Sequence, residues 1–297
     1  MRYRVARSLA EVREALAAGG EGLTLLAGGT DLMVRARSRV AAGPVLDLAA
    51  VPELRRIALD GPAGAEAVLG AGVTYADCLA DPLIRRAAPL LARVAERFAS
   101  PPIRAVATLG GNVANASPAG DGVAALWALD AQVEALTPAG AVTRPIAEVV
   151  QGPGRLGLPP GSVLTAFRVP AAPAGEASAF YKLVNRAWPE HPMAISVASV
   201  AVRLRCDAAG RVTLARIVLG AVAPVPVRAA AAEARLLGAV PDGRARADAA
   251  RRAAEAAAPI GDLRASAGYR RAVVPAVVTA ALDAALGRPG PAGAADG

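Results

Sequence analysis

Leu25-Leu26-Ala27-Gly28-Gly29-Thr30-Asp31-Leu32 runs from an apolar stretch through two glycines and out through a hydroxyl and a carboxylate. Leu23–Ala27 reads as a short buried strand and Asp31–Arg39 as a helix. Between them, glycine permits positive φ and close approach of a ligand to the main chain. Successive N–H groups in such a turn make a concave anion site, aided by the helix behind them. A pyrophosphate is the natural guest, and Thr30 adds a hydroxyl. An ordinary strand–helix connection capped by Asp31 is the alternative. The stretch matches neither the GxGxxG fingerprint nor the P-loop pattern.

A second glycine pair lies downstream, in Thr108-Leu109-Gly110-Gly111-Asn112, followed by Asn115, Ser117 and Asp121. It concentrates hydroxyls, amides and a carboxylate, the groups that ribityl, ribose and phosphate oxygens need. A polar loop before a capped helix is the alternative here. Two such loops in one chain suit a dinucleotide, which has a pyrophosphate to cradle and a polyol to hold.

The pattern around these turns is mixed. Ser8–Ala18 is a predicted helix, with Ser8 and Glu11 at capping-box spacing. Strands are predicted at Val45–Leu48 and Ala67–Ala71. A helix from Thr74 or Tyr75 is interrupted by Pro82, and Leu90–Phe98 is a helix that Ser100-Pro101-Pro102 breaks. Asp121–Leu129 is a predicted helix capped by Asp121. Strands follow at Gln132–Thr137, Ala141–Pro145 and Ser162–Val169. Pro170–Gly175 reads as a linker, after which the pattern restarts. Ala179–Lys182, Ile195–Arg205 and Val212–Ala221 are predicted strands, and Val200/Val202/Leu204 alternate with Ala201/Arg203/Arg205. Arg228–Leu237, Asp248–Ala257 and Tyr269–Leu286 are predicted helices. This order implies an α+β fold rather than a doubly wound sheet. The expected domains are 1–172, with subdomains of about 1–58 and 59–172, then 177–287, then a disordered tail over 288–297.

Composition narrows the function. The chain has 297 residues, enough for about two domains. Apolar residues make up 54% and aromatics only 3%, so the core is built from Ala, Val and Leu. The net charge of +8 comes almost entirely from scattered Arg, and Lys182 is the only lysine. With so few aromatics for base stacking, the composition argues against a nucleic-acid binder. Cys78, Cys206 and His191 are too few for a zinc site or a cysteine-ligated iron–sulfur cluster, so the two thiols are expected reduced and partly buried. The N-terminus shows no apolar signal core, and apolar runs stop short of the roughly 18–20 residues of a membrane span. A soluble, cytoplasmic protein with no membrane span is expected.

Five segments together resemble one family: LLAGGTDLMVRAR, IRAVATLGGNVANASPAGD, FYKLVNR, RIVLGAVAPVPVRAAAAEARLLG and GDLRASAGYRRAVVPAVV, in this order over nearly the whole chain. The family is the FAD-binding (medium) subunit of the xanthine dehydrogenase and carbon monoxide dehydrogenase group of molybdenum hydroxylases. The resemblance implies a two-subdomain FAD-binding domain of the PCMH or vanillyl-alcohol-oxidase type, then a smaller α+β C-terminal domain. It implies that Leu25, Leu26, Ala27, Gly28, Gly29, Thr30, Asp31 and Leu32, with Thr108, Leu109, Gly110, Gly111 and Asn112, wrap the pyrophosphate and ribityl chain. Asp121 would accept from a flavin hydroxyl, Phe98 and Leu164 would make apolar flavin contacts, and Lys182 would reach the isoalloxazine.

The expected partners are a large molybdopterin-binding subunit and a small 2Fe–2S subunit, assembled as a dimer of heterotrimers. FAD is the cofactor expected on this chain, with no metal and no catalytic acid–base residue. A stand-alone FAD-dependent oxidase or reductase, or an FAD-free assembly protein, are the competing functions. The chain departs from the pattern at Trp188-Pro189-Glu190-His191-Pro192, where many relatives carry an Asp, and His191 is expected to be structural or exposed. It also lacks the four cysteines that some relatives insert for an extra 4Fe–4S cluster.

Overall fold

A computed structural model describes residues 3–19, 22–36, 43–185 and 194–288. The distal part of the expected helix Asp31–Arg39, the stretch Trp188–Pro192 with His191, and the tail beyond 288 lie outside the described residues. No helix among the described residues is long and apolar enough to cross a membrane.

The chain opens with a small parallel sheet. Its strands are β1 (Tyr3–Val5), β2 (Thr24–Leu26) and β3 (Val45–Asp47), ordered β1-β3-β2. Helix α1 (Leu9–Gly19) crosses between β1 and β2, and α2 (Leu32–Ala36) follows the first glycine turn. Ser8 caps α1, its Oγ accepting from the Glu11 N–H at 3.2 Å. The Glu11 carboxylate accepts from the Arg7 N–H at 3.0 Å, one residue beyond the Ser8 N–H that a true capping box uses. Strand β1 escapes sequence reading because it is an exposed edge strand with no buried residue to betray it.

After β4 (Ile57–Asp60) and β5 (Glu66–Gly70) the chain enters a run of helices. These are α3 (Tyr75–Ala80), α4 (Pro82–Ala87), α5 (Pro89–Glu96), α6 (Pro101–Arg104), α7 (Leu109–Asn115) and α8 (Asp121–Ala128). Three of them begin with proline, whose missing N–H would be unpaired there anyway. Pro82 therefore restarts a helix rather than merely interrupting one. Asp81 ends α3 and caps α4, its Oδ1 accepting from Leu83 N at 2.8 Å and Ile84 N at 3.1 Å. Asp121 does not cap α8. Gly120 holds the N-cap position, and Asp121 is the first residue inside the helix.

The chain continues through β6 (Gln132–Thr137), β7 (Gly140–Pro145), α9 (Ile146–Val149), a small hairpin of β8 (Val150–Gly152) and β9 (Arg155–Leu156), and β10 (Val163–Pro170). β10 inserts between β5 and β6, giving the antiparallel order β4-β5-β10-β6-β7.

A third, antiparallel sheet follows. It contains β11 (Glu176–Leu183), β12 (Ala198–Cys206), β13 (Val212–Gly220) and β14 (Val227–Arg228) in sequence order. Helices α10 (Ala230–Leu236), α11 (Gly243–Glu255) and α12 (Ala267–Ala285) cover one face. Asp242 and Ser266 cap α11 and α12, so both helices start earlier than the apolar pattern indicated. Val200, Val202, Leu204, Ile217 and Leu219 pack under these helices, whereas Phe180, Ala201 and Val218 join the core of the preceding segment. The period-two alternation of β12 is thus real, but both of its faces are covered.

Arg203 lies on the alternate face of β12 from Val200, Val202 and Leu204, and although charged it is only 3% exposed. Its Nε and Nη2 grip the Glu176 carboxylate at 2.8 and 2.9 Å, and Nη1 donates to the Ala128 carbonyl at the end of α8 at 3.1 Å. This bidentate pair, satisfied at every contact, lets a charged side chain sit between two apolar cores.

Candidate functional site

The two glycine turns line one cavity of about 430 Å³. Leu25 through Leu32 form one wall. Leu26 ends β2 with its carbonyl bound to Leu48 N at 2.8 Å, and the chain then leaves the sheet. Gly29 has φ +71°, the left-handed region that glycine occupies without strain. Gly28 is required for a different reason. A methyl group there would overlap the Val106 carbonyl, so only glycine lets this turn lie against the segment leading to the second glycine pair.

The main-chain N–H groups of Gly28, Gly29, Thr30 and Asp31 donate to no acceptor among the described residues. They are the donors a bound anion would need. The second turn differs. Leu109 N donates to Val73 O at 2.9 Å, Gly110 N to Ala71 O at 2.7 Å, and Asn112 N to Thr108 O at 3.0 Å. Gly111 N donates to Thr108 Oγ1 at 2.9 Å. The first turn of α7 is therefore already satisfied by protein. What the second loop can offer a ligand is mainly side chains and a surface that glycine keeps low.

Of the residues singled out by sequence, Phe98, Thr108, Gly110, Gly111, Asn112 and Leu164 also line the cavity. Phe98 sits at the end of α5, where Ala99 takes φ +42°. Arg104 Nη1 clamps this break by donating to the Phe98 and Ala99 carbonyls at 2.8 and 2.7 Å.

Three expected residues lie elsewhere. Leu109 is fully buried in the core. Asp121 and Lys182 are bound to each other, Nζ to Oδ2 at 3.0 Å, and each side chain is only 6% exposed. The remaining Asp121 oxygen accepts from Ser196 Oγ at 2.8 Å. This buried trio joins α8 to the third sheet instead of lining the cavity.

Sequence reading also missed several lining residues. Leu54 and Arg55 come from a short 3-10 turn, Pro52–Arg55. Thr74 and Tyr75 come from the start of α3. Thr74 and Asp77 form a full capping box, with Asp77 N on Thr74 Oγ1 at 3.1 Å and Thr74 N on Asp77 Oδ2 at 2.8 Å. That spacing, Thr-x-x-Asp, settles the helix start expected at Thr74 or Tyr75: Thr74 is the N-cap and Tyr75 the first helical residue. Tyr75 is wholly buried, and its ring lies on Phe98 with centroids 3.7 Å apart and planes at 9°. The cavity thus has one wall of open N–H groups and another of apolar and aromatic side chains. Among the described residues no group of three or more His, Cys, Asp or Glu could hold a metal. The arrangement is built to hold a ligand with an anionic segment and an apolar one.

Residues 1–172 match the family described as the FAD binding domain in molybdopterin dehydrogenase. Residues 179–285 match the CO dehydrogenase flavoprotein C-terminal domain. The chain is 32% identical to the xanthine dehydrogenase FAD-binding subunit of Escherichia coli, covering 78% of this chain and 77% of that one. It is 32% identical to the carbon monoxide dehydrogenase medium chain of Hydrogenophaga pseudoflava, covering 79% of each. The solved carbon monoxide dehydrogenase of Hydrogenophaga pseudoflava superposes with a TM-score of 0.89 at 33% identity, over 97% of this chain and 98% of that one.

Proposed function

Because the chain belongs to the family of FAD-binding subunits of molybdopterin dehydrogenases, we propose that it is the flavin-carrying, electron-transferring subunit of a molybdenum hydroxylase. Its partners in this reading are a large molybdopterin-binding subunit and a small 2Fe–2S subunit, assembled as a dimer of heterotrimers in the cytoplasm. When bound, FAD would supply the redox chemistry between the 2Fe–2S clusters of the small subunit and an acceptor such as NAD+, a quinone or O2.

The observation that carries this reading is the pairing of the two glycine turns across one cavity. The open N–H groups of Gly28 to Asp31 would receive the pyrophosphate, and Gly28 and Gly29 would let it approach the main chain. Phe98 and Leu164 line the cavity with apolar surface for an isoalloxazine, and Thr108 and Asn112 would face the polyol. Lys182 and Asp121 act from behind the cavity, fastening the third sheet to α8. The chain's own work is thus to bind, orient and enclose the cofactor; substrate chemistry falls to the molybdenum subunit.

Adding FAD to the purified, cofactor-depleted chain tests the assignment. Uptake of one FAD per chain, with a protein-bound band at roughly 450 nm, is the expected result. A chain that takes up no FAD contradicts it.

A further inference from the structure

Two polar atoms near the cavity are buried with no hydrogen-bond partner, Tyr75 Oη and Asn112 Oδ1. One is a donor and the other an acceptor, and they meet at the same place. A methyl on Gly122 would overlap the Tyr75 hydroxyl and lie 3.0 Å from Asn112 Oδ1. A methyl on Gly120 would lie 3.3 Å from the same oxygen. The glycines on either side of Asp121 therefore keep open the space that these two groups share.

Tyr75 has little freedom. Its ring is stacked on Phe98, and its N–H donates to the Ala107 carbonyl at 3.1 Å. Burial, then the nearby Cys78 and Asp121, push its phenol well above the ordinary range, so at neutral pH it is a permanent donor. An asparagine amide, by contrast, has two orientations of nearly equal shape and opposite chemistry. A fixed donor beside one end decides between them.

We propose that Tyr75 is a positioning residue for the flavin site: the two groups, adjacent but not bonded to each other in this structure, close into a hydrogen bond from the Tyr75 hydroxyl to Asn112 Oδ1 when the cofactor binds, so that the Asn112 NH2 is presented to it as a donor. Buried polar groups left unpaired are costly, and pairing these two removes both penalties at once. The turned-out NH2 then meets an oxygen of FAD instead of opposing it with another oxygen. This rests on the assignment of the cavity to FAD, and the experiment separates the two claims.

Tyr75→Phe keeps the ring and its stack on Phe98 and removes only the O–H. Titrating the cofactor-depleted chain with FAD should show an affinity about tenfold weaker, the scale of one hydrogen bond. The thermal midpoint of the FAD-bound form should fall by clearly more than that of the apoprotein. Asn112→Asp, which replaces the NH2 with oxygen, should weaken FAD at least as much, and adding Tyr75→Phe to it should cost nothing further. Failure of the wild-type chain to bind FAD overturns the cavity assignment and with it this inference. Wild-type binding with an unchanged Tyr75→Phe affinity overturns the role of Tyr75 alone. Additive losses in the double variant, or an apoprotein destabilised as much as the FAD-bound form, make Tyr75 a packing residue and overturn it equally.

Discussion

Lys182 Nζ lies 3.0 Å from Asp121 Oδ2, and through this buried pair the third sheet grips the helix that follows the second glycine turn. The contact is reinforced from both sides. Ser196 Oγ donates to the other Asp121 oxygen, and the Ala221 N–H donates to the Pro118 carbonyl at 2.9 Å. The pair therefore couples the stability of the flavin-cradling segment to that of the C-terminal sheet. Lys182→Met strands a buried carboxylate and should lower stability by about 3 kcal/mol or more. Asp121→Asn in the same chain should recover most of that loss. Urea unfolding of the single and double variants measures both, and a loss well under about 1 kcal/mol for Lys182→Met would mean that water reaches the pair.

Gly28→Ala should abolish FAD retention, because its methyl cannot share space with the Val106 carbonyl without moving the whole turn. Gly268→Ala, in α12 with nothing within 4 Å, serves as the control and should retain FAD fully. The flavin content of the two purified variants is the readout, and a Gly28→Ala variant with a full complement would remove the first turn from the site.

The two free thiols should behave differently. Burial pushes the Cys78 thiol up to about 12, whereas Cys206 is only partly buried. A thiol reagent at pH 8 should modify Cys206 in the native protein and Cys78 only after unfolding. Stability should also fall with pH. Below about pH 8.5, the ordinary thiol value, both states keep the Cys78 proton. Above it only the unfolded state releases that proton, so the native state loses ground until the buried thiol itself titrates near pH 12. Denaturant midpoints at pH 8 and pH 10 for wild type and Cys78→Ala check the sign: the decline should be shallower in the variant.

Iron and sulfide analysis of the isolated chain should find no stoichiometric cluster. Two cysteines, one in the core and one in the third sheet, cannot supply four thiolates. Iron that stays with the chain after separation from its partners would contradict this.

Much of the fold was legible because its signals are local. Ser8 and the glycine pairs each act within a few residues of themselves, whereas Pro82 and Pro101, read as interruptions, in fact start helices. The order of helices and alternating strands then implied the α+β class. What stayed hidden depends on contacts distant in sequence. Nothing near Arg203 in the sequence announces that Glu176 and the Ala128 carbonyl will close around it. Asp121 and Lys182 were each marked as facing a ligand, but neither residue's neighbours reveal that the two face each other. Tyr75 was passed over because a lone aromatic at a helix start looks like core. Its role depends on Phe98, Asn112 and Gly122, brought to it by the helices between β5 and β6.

In the proposed role this chain carries the flavin and leaves substrate oxidation to a partner. Anaerobic mixing of the FAD-loaded chain with xanthine, nicotinate or carbon monoxide, followed at the flavin band near roughly 450 nm, tests it most directly. No bleaching by any of them alone, full bleaching by dithionite, and substrate-dependent bleaching once the molybdenum and iron–sulfur subunits are added are the expected results. Rapid bleaching by an organic substrate with the isolated chain would contradict that role and make the protein a flavoenzyme in its own right.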